Sequence, residues 1–340
     1  MMNQDQTYFD VLSFGEALVD FLPSKIGVKL REVDEYTRNL GGAPANLAYS
    51  VARLGGRCAL VGRLGDDEFG HYLSRKLQKS GVDVSGITHT KEAKTGIVFV
   101  EIDASGERSF TFYRHPSADM TIRAENIDLD VVRRSNIVHS GTNLMVSAGS
   151  AQANLLVLEE ARSAGRLVSL DANIRMHQWP SAARALETIT GMFKLVDLLK
   201  VNEEEMTFLF GDTPPQTVFN DILRPRGVQA LLLTLGGGGA TVLTPTLSVD
   251  VPAPTVDVLD TTGAGDAFLA GLLRGLSIQL RPCGDSAGAW DEGLKRMDTR
   301  AWQRTLTLAN HIGALACTSF GATTAIPDQA EISWSSFGLG

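Results

Sequence analysis

Cysteine is scarce in this chain: Cys58, Cys283 and Cys317 stand singly, with no CxxC pair and no histidine at metal-ligand spacing. That excludes a disulfide framework and a structural zinc site, and it predicts a reduced, cytoplasmic protein. Positive charge is also in deficit. With 31 Lys and Arg against 39 Asp and Glu, the net charge is -8 and the isoelectric point about 5.3. A nucleic-acid backbone or an anionic membrane would be repelled by such a surface, so neither is expected as a partner. No apolar run approaches the length that spans a bilayer, and the start MMNQDQTYFD lacks the basic and apolar regions of a signal peptide. Two nucleotide signatures are missing as well. There is no GxxxxGK[ST], and FGEALVD stands where a GxGxxG would follow the first strand, which removes a P-loop and a Rossmann-type dehydrogenase.

At 340 residues the chain fits a single α/β domain, 1–340, carrying a small insertion. Residues Tyr8 to Phe14 read as a first strand, and Pro44 at an N1 position opens a helix from Ala45 to Leu54. Short apolar runs at Ala59 to Val61, Asn136 to His139, Leu167 to Leu170, Val196 to Val201 and Ala230 to Leu235 then alternate with helical patterns such as Glu68 to Lys79 and Ala148 to Ala164. This rhythm predicts a doubly wound, mostly parallel sheet covered on both faces. Two stretches break it. Segments of about 22–40 and 95–120, the second holding a hairpin from Gly96 to Ile102 and Glu107 to Arg114 across the turn DASG, predict a small antiparallel β lid.

The most informative stretch is DTTGAGDAF, Asp260 to Phe268, which leaves the strand-like VPAPTVDVL and opens the apolar helix AFLAGLLRGL. Gly263 and Gly265 let the backbone approach a ligand, and the free N–H groups at the helix start form an anion site. Asp266, in the first turn beside that site, is placed to accept a proton from a hydroxyl and orient it for in-line attack on a phosphoryl group. The plain alternative is a set of turn and cap residues complementing a helix dipole.

Other stretches carry weaker signals. GGAPANLA puts Gly41 and Gly42 ahead of Asn46, whose amide can donate to and accept from hydroxyls; a tight turn is equally compatible. Asp20 stands where a carboxylate could bind paired hydroxyls or simply be a solvated turn residue. In VNEEE, Glu205 lies one turn beyond Asn202 and could reach a phosphate-bound Mg²⁺ through water, although acidic residues in a first turn are ordinary dipole partners. TLGGGG, with Thr234, Gly236 and Gly239, could line a nucleotide's phosphates or be a glycine-rich hairpin. By strand alternation Arg114 shares a face with Phe110 and Phe112 that could close over a sugar, while Asn173 and Arg175 follow another strand's C-terminal end, or form a surface ion pair. His139 and His177 read as structural.

Assembled, these residues resemble the PfkB (ribokinase-like) carbohydrate kinases from FGEALVD through DTTGAGD to the final GALACT helix. The resemblance implies Asp266 as catalytic base, an anion hole of Gly263, Ala264 and Gly265, and sugar contacts from Asp20, Gly41, Gly42 and Asn46. It further implies ATP contacts from Asn202, Glu205, Thr234, Gly236 and Gly239, with Asn310 and Gly313 enclosing the adenine. Mg²⁺ would be reached from Glu205, and a monovalent cation, K⁺, would sit by Asp260 and Thr262. Within the family GGAPANLA, YRHPSADM and the Asp171-x-Asn173-x-Arg175 segment look like fructokinases, with 2-keto-3-deoxygluconate kinases as close relatives and a non-catalytic sugar binder as the third reading. The keto-acid kinases often carry tyrosine where Phe112 stands, which weakens a carboxylate-sugar reading. Three departures matter: Ala172 replaces a common proline, Gly237 and Gly238 replace polar residues, and the polar stretch Gln279 to Trp302 is long enough to reshape the nucleotide rim. A homodimer through the lid is expected, because its outer edge and face would otherwise be exposed.

Overall fold

The computed structural model describes residues 8–103, 108–114 and 116–339. Its strands are β1 Phe9–Phe14, β2 Leu18–Pro23, β3 Tyr36–Gly41, β4 Cys58–Gly65, β5 Ile87–Thr90, β6 Ile97–Ile102, β7 Arg108–Tyr113, β8 Ser135–Gly141, β9 Leu167–Asp171, β10 Leu198–Asn202, β11 Ala230–Thr234, β12 Ala240–Leu243 and β13 Ser248–Val251. Nine of them form one sheet in the order β13-β12-β11-β10-β9-β8-β1-β4-β5, parallel except where β12 and β13 turn back. The chain runs outward from β1 to β4 and β5 on one side and from β8 to β11 on the other. The order therefore reverses between β1 and β8, and the crevice beyond the carboxyl ends of these strands is where open α/β sheets bind ligands.

Strand alternation explains the double cover. In β1, Val11 faces a core shared with the helices Ala43–Arg53, Ala264–Leu280 and Thr299–Ala316, while Leu12 and Phe14 face a second core shared with the helices Ala148–Ser163 and Ala182–Met192. Both faces being buried, the strands read as nearly continuous apolar runs rather than alternating ones. The helix Glu68–Lys79 has the expected bounds, and Asp67 caps it by accepting from the amides of Phe69 and Gly70. The first helix begins at Ala43, two residues earlier than expected, because Pro44 is held inside its first turn.

The lid is the sheet β3-β2-β6-β7, built from two insertions into the main sheet. Its outer pairings, β2 with β3 and β6 with β7, are antiparallel; the central pairing of β2 with β6 is parallel, as it must be when two hairpins enter from the same side. The lid begins at Leu18, sooner than the expected segment, since Gly15 to Ala17 already supplies the break after β1. The tip of the β6–β7 turn, 104–107, lies outside the described residues.

The long polar stretch does not touch the nucleotide rim. The 17-residue helix Ala264–Leu280 carries the chain about 25 Å away from its own N-terminus, so the residues after Leu280 pack at the opposite end of the sheet. There Arg281 pairs with buried Asp10 at 2.6 Å, Asn136 donates to Asp285 at 2.7 Å, the Gly288 amide donates to the Gly165 carbonyl at 2.9 Å, and Gln229 meets Asp291. Trp290 anchors this strap, buried, with its indole N–H on the Gly284 carbonyl. Replacing Trp290 by alanine should therefore cost about 3 kcal/mol of stability in chemical denaturation, the low end for removing a buried tryptophan, with ligand affinity in the cleft unchanged. An affinity loss without a stability loss would return the strap to the rim.

Candidate active site

One cleft of about 850 Å³ opens between the lid and the carboxyl ends of β1, β8, β9 and β10. Asp266 lies at its floor. Gly263, at φ 75°, caps the helix Ala264–Leu280, and a side chain there would collide with Ala322. The loop before it is tied down by Asp260, whose buried carboxylate accepts from the Thr262 amide at 2.6 Å and from the Gly321 amide at 2.7 Å. The Ala264 amide is already turned onto the Thr261 carbonyl at 3.2 Å. Of the expected anion hole, Gly263 and Gly265 line the cleft, as does Asp266, the next residue of the helix.

Asn46 binds the Asp266 carboxylate directly. Its Nδ2 donates to Asp266 Oδ2 at 2.9 Å, joining two helices 220 residues apart in sequence, while its Oδ1 is buried without a hydrogen-bond partner. Gly42, at φ 90°, turns the chain from β3 into that helix. A Cβ on Gly41 would fall 2.1 Å from Asp20 Oδ1, so glycine there makes room for the carboxylate. Asp20, on lid strand β2, lines the cleft with Gly42, Asn46 and Asp266. Burial raises the carboxyl of Asp266 to about 7, with Asp171 adding to the rise and Asn46, Arg175 and Lys200 opposing it. Asp20 is likewise raised to about 7 by burial and by the charges of Asp266 and Asp260.

The lid contributes Phe110 and Phe112, the latter stacked on His177 at 5.1 Å. His177 is thus a cleft-wall residue and not only a structural one; its isolation in sequence hid that. His139 is structural, buried between strands with Nδ1 on Ser169 Oγ at 3.0 Å. Arg114 does share the cleft face, but its charge is already neutralised. It is buried, paired with Asp119 at 2.5 Å and lying 4.0 Å from Glu16, and it donates to Gln178 at 3.0 Å. Glu16 in turn accepts from Asn143 at 2.8 Å. Asn173 is the only described non-glycine residue with a left-handed backbone, φ 35°, and its backbone amide donates a hydrogen bond to Asp171 Oδ1 at 3.2 Å. Ala172 donates its amide to the Lys200 carbonyl at 3.0 Å, a bond that proline could not make. Arg175 lies exposed at the rim.

Glu205 and Asn202 form a capping box at the start of the helix Glu203–Phe210, and Glu205 also accepts from the Ile174 amide at 2.8 Å. Both its oxygens are therefore engaged by backbone, leaving an outward role through water. Thr234 pairs with Asn202 across β10 and β11, so the glycine loop Gly236 to Gly239 flanks the cleft on that side without lining it. Asn310 donates to the carbonyls of Val251 and Pro252, and Gly313 packs on Phe268; both hold the last helix against its neighbours beside that loop. Sequence reasoning missed Glu16, Asn143, Asp171 and Lys200. Only Glu16, in FGEALVD, and Asp171, which opens DANIR, lay in stretches that carried a signal of their own.

A buried carboxyl beside a helix start, in a polar cleft with a lid above it, suits a phosphotransferase acting on an alcohol group of a sugar. The comparisons agree: the family model for pfkB family carbohydrate kinases matches residues 9–329, and the chain belongs to that ATP-using family. It is 38% identical over 322 residues to probable fructokinase-4 of Arabidopsis thaliana, covering 95% of each chain. The fructokinase of Xylella fastidiosa with bound ATP is 36% identical with a TM-score of 0.83, over 95% of this chain and 96% of that one. A fructokinase double mutant of Vibrio cholerae O395, bound to fructose, ADP and a potassium ion, is 31% identical with a TM-score of 0.80, over 96% and 98%.

The raised carboxyls fix the sign of a stability effect. Unfolded aspartates give up their protons near pH 4, whereas Asp20 and Asp266 keep theirs to about 7, so the folded state binds more protons in between and loses stability as pH rises through that window. Asp266→Asn removes the cost of the ionised form. Thermal melts should show the variant more stable than the parent at pH 8, with the gap closing toward pH 5; a gap that widens on acidification would contradict the assignment.

Proposed function

We propose that this chain is an ATP-dependent fructokinase, converting fructose and MgATP to fructose 6-phosphate and ADP. The observation that carries this reading is Asp266, in the first turn of the helix Ala264–Leu280 and hydrogen-bonded to Asn46 at 2.9 Å. The carboxylate takes the proton of the sugar's 6-hydroxyl as that oxygen bonds to the γ-phosphorus, and the bond from the γ-phosphorus to the β–γ bridging oxygen breaks to release ADP. Charge on the transferred group falls to the amides at Gly265 and Asp266, with Gly263 and Ala264 shaping the turn. Asp20, Gly41, Gly42 and Asn46 seat the other hydroxyls; the partnerless Asn46 Oδ1 is one acceptor for them. Phe112 covers the ring, and Asn173 and Arg175 border it.

Asn202, Glu205, Thr234, Gly236 and Gly239 line the phosphates and ribose, with adenine toward Asn310 and Gly313. Mg²⁺, carried by the nucleotide phosphates, is reached from Glu205 through water, its oxygens being otherwise occupied by backbone amides. Thr262 Oγ1 is buried with no hydrogen-bond partner, which suits a monovalent cation such as K⁺ beside Asp260. That cation would add positive charge behind the anion hole. A 2-keto-3-deoxygluconate kinase is the second reading; Arg114, buried and paired with Asp119 at 2.5 Å, offers a substrate carboxylate less than an unpaired guanidinium would. With its three cysteines free, the protein is assigned to the cytoplasm.

ADP release with MgATP should be fructose-dependent across a panel of fructose, 2-keto-3-deoxygluconate, ribose and adenosine. Asp266→Asn should lower turnover by at least about 100-fold with ATP binding nearly intact. Near-normal turnover in that variant would remove Asp266 as base, and preference for the keto-acid sugar would replace the substrate. We also propose a homodimer through the lid, whose Phe110 and Tyr113 are 43% and 61% exposed. Light scattering at micromolar concentration should give twice the 36.5 kDa chain mass; a monomer would refute the dimer.

A further inference from the structure

Lys200 is a buried positive charge in the cleft to which the kinase reading gives no task. It lies near the end of strand β10, is 6% exposed, and its Nζ lies 3.1 Å from Asp171 Oδ1 and 3.2 Å from Oδ2. It lines the cleft together with Gly265, Asp266 and Glu205, and a Cβ placed on Gly265 would meet the ammonium at 3.5 Å. An ammonium carries three N–H groups, and Asp171 can take two of them. Burial works against its charge, but Asp171 and Glu205 beside it more than offset that, so the group stays protonated, held above its ordinary range.

A purely structural ion pair needs no place at a cleft wall, and burying one is seldom worth more than an apolar pair of the same size. We propose that Lys200, steadied by Asp171, is a further catalytic residue that binds the γ-phosphoryl group of ATP beside the amides of Gly265 and Asp266. Asp171 is a positioning residue for it. The role rests on the kinase reading and assigns a second element of the phosphate site. As the γ-phosphorus leaves the β–γ bridging oxygen for the sugar oxygen, its equatorial oxygens gather charge over the amides of Gly265 and Asp266. A fixed cation there adds a charge-assisted hydrogen bond that strengthens in the transition state.

Lys200→Met alone would strand the Asp171 carboxylate in the core and could unfold the chain, so the test uses the neutral pair Lys200→Met/Asp171→Asn, with Lys200→Arg as the conservative variant. Titration calorimetry with MgATP and with MgADP reads the γ-phosphoryl contact without any sugar. The double variant should bind MgADP within about 2-fold of the parent and MgATP about 10-fold more weakly, a loss that Lys200→Arg recovers in part. Its sugar-dependent kcat should fall roughly 100-fold while the sugar KM stays within about 3-fold. An unchanged ratio of ATP to ADP affinity in a folded double variant would overturn the proposal, as would a normal kcat. A parent enzyme that fails to phosphorylate fructose, yet discriminates ATP from ADP through Lys200, would reject the sugar and leave this role standing.

Discussion

The hydrogen bond from Asn46 to Asp266 is the contact on which the proposed site depends, because it joins the helix assigned to the sugar seat to the helix assigned to the phosphoryl group. Each partner needs the other. Asp266 is a buried carboxyl whose neighbours include Asp171 and, across the seat, Asp20; without Asn46 donating to it, burial and repulsion would hold it protonated still more firmly. A base that titrates near 7 is well matched to its work, since it can both take a proton and exist as the free carboxylate in neutral solution. The same burial makes the site a weak point of the fold, an ordinary exchange of stability for function.

Around that contact the sheet is divided between two tasks. The carboxyl ends of β1, β8, β9 and β10 present Glu16, Asn143, Asp171, Asn173, Arg175 and Asn202, all within one cleft. The opposite ends are closed by the strap after the Ala264–Leu280 helix, through Arg281 on Asp10, Asp285 on Asn136 and the buried Trp290. The lid roots next to the site because β2 leaves the sheet three residues after β1 ends. Its strand β2 therefore carries Asp20 into the same cleft that the helix start faces.

Much of this was legible in the sequence, for reasons that can be named. Asp260 to Phe268 is a local signal: glycines, a first-turn carboxylate and an apolar helix follow one another, so it is readable before its distant partners Asn46 and Gly321 are known. The βαβ rhythm and the Glu68–Lys79 helix were readable because periodicity and caps act over a few residues. Lys200 was not, since it sits inside an apolar strand and its pairing with Asp171 at 3.1 Å exists only once β9 and β10 lie side by side. Arg114 was placed on the correct face, yet its neutralisation by Asp119 and Glu16 depends on a loop and a strand that meet only in the fold. The strap was misplaced for a simpler reason: proximity in sequence to the catalytic helix says nothing of which end of a 17-residue helix the chain leaves from.

The most direct test of this account is the pH dependence of kcat/KM for fructose with saturating MgATP, in the parent and in Asn46→Ala. Since the base acts as a carboxylate, the rate should rise with pH to a plateau with a midpoint near 7, and loss of the Asn46 donor should move that midpoint upward. A profile that is flat from pH 5 to 8, or a midpoint that Asn46→Ala leaves in place, would contradict the coupling of Asn46 to Asp266 at the centre of the site.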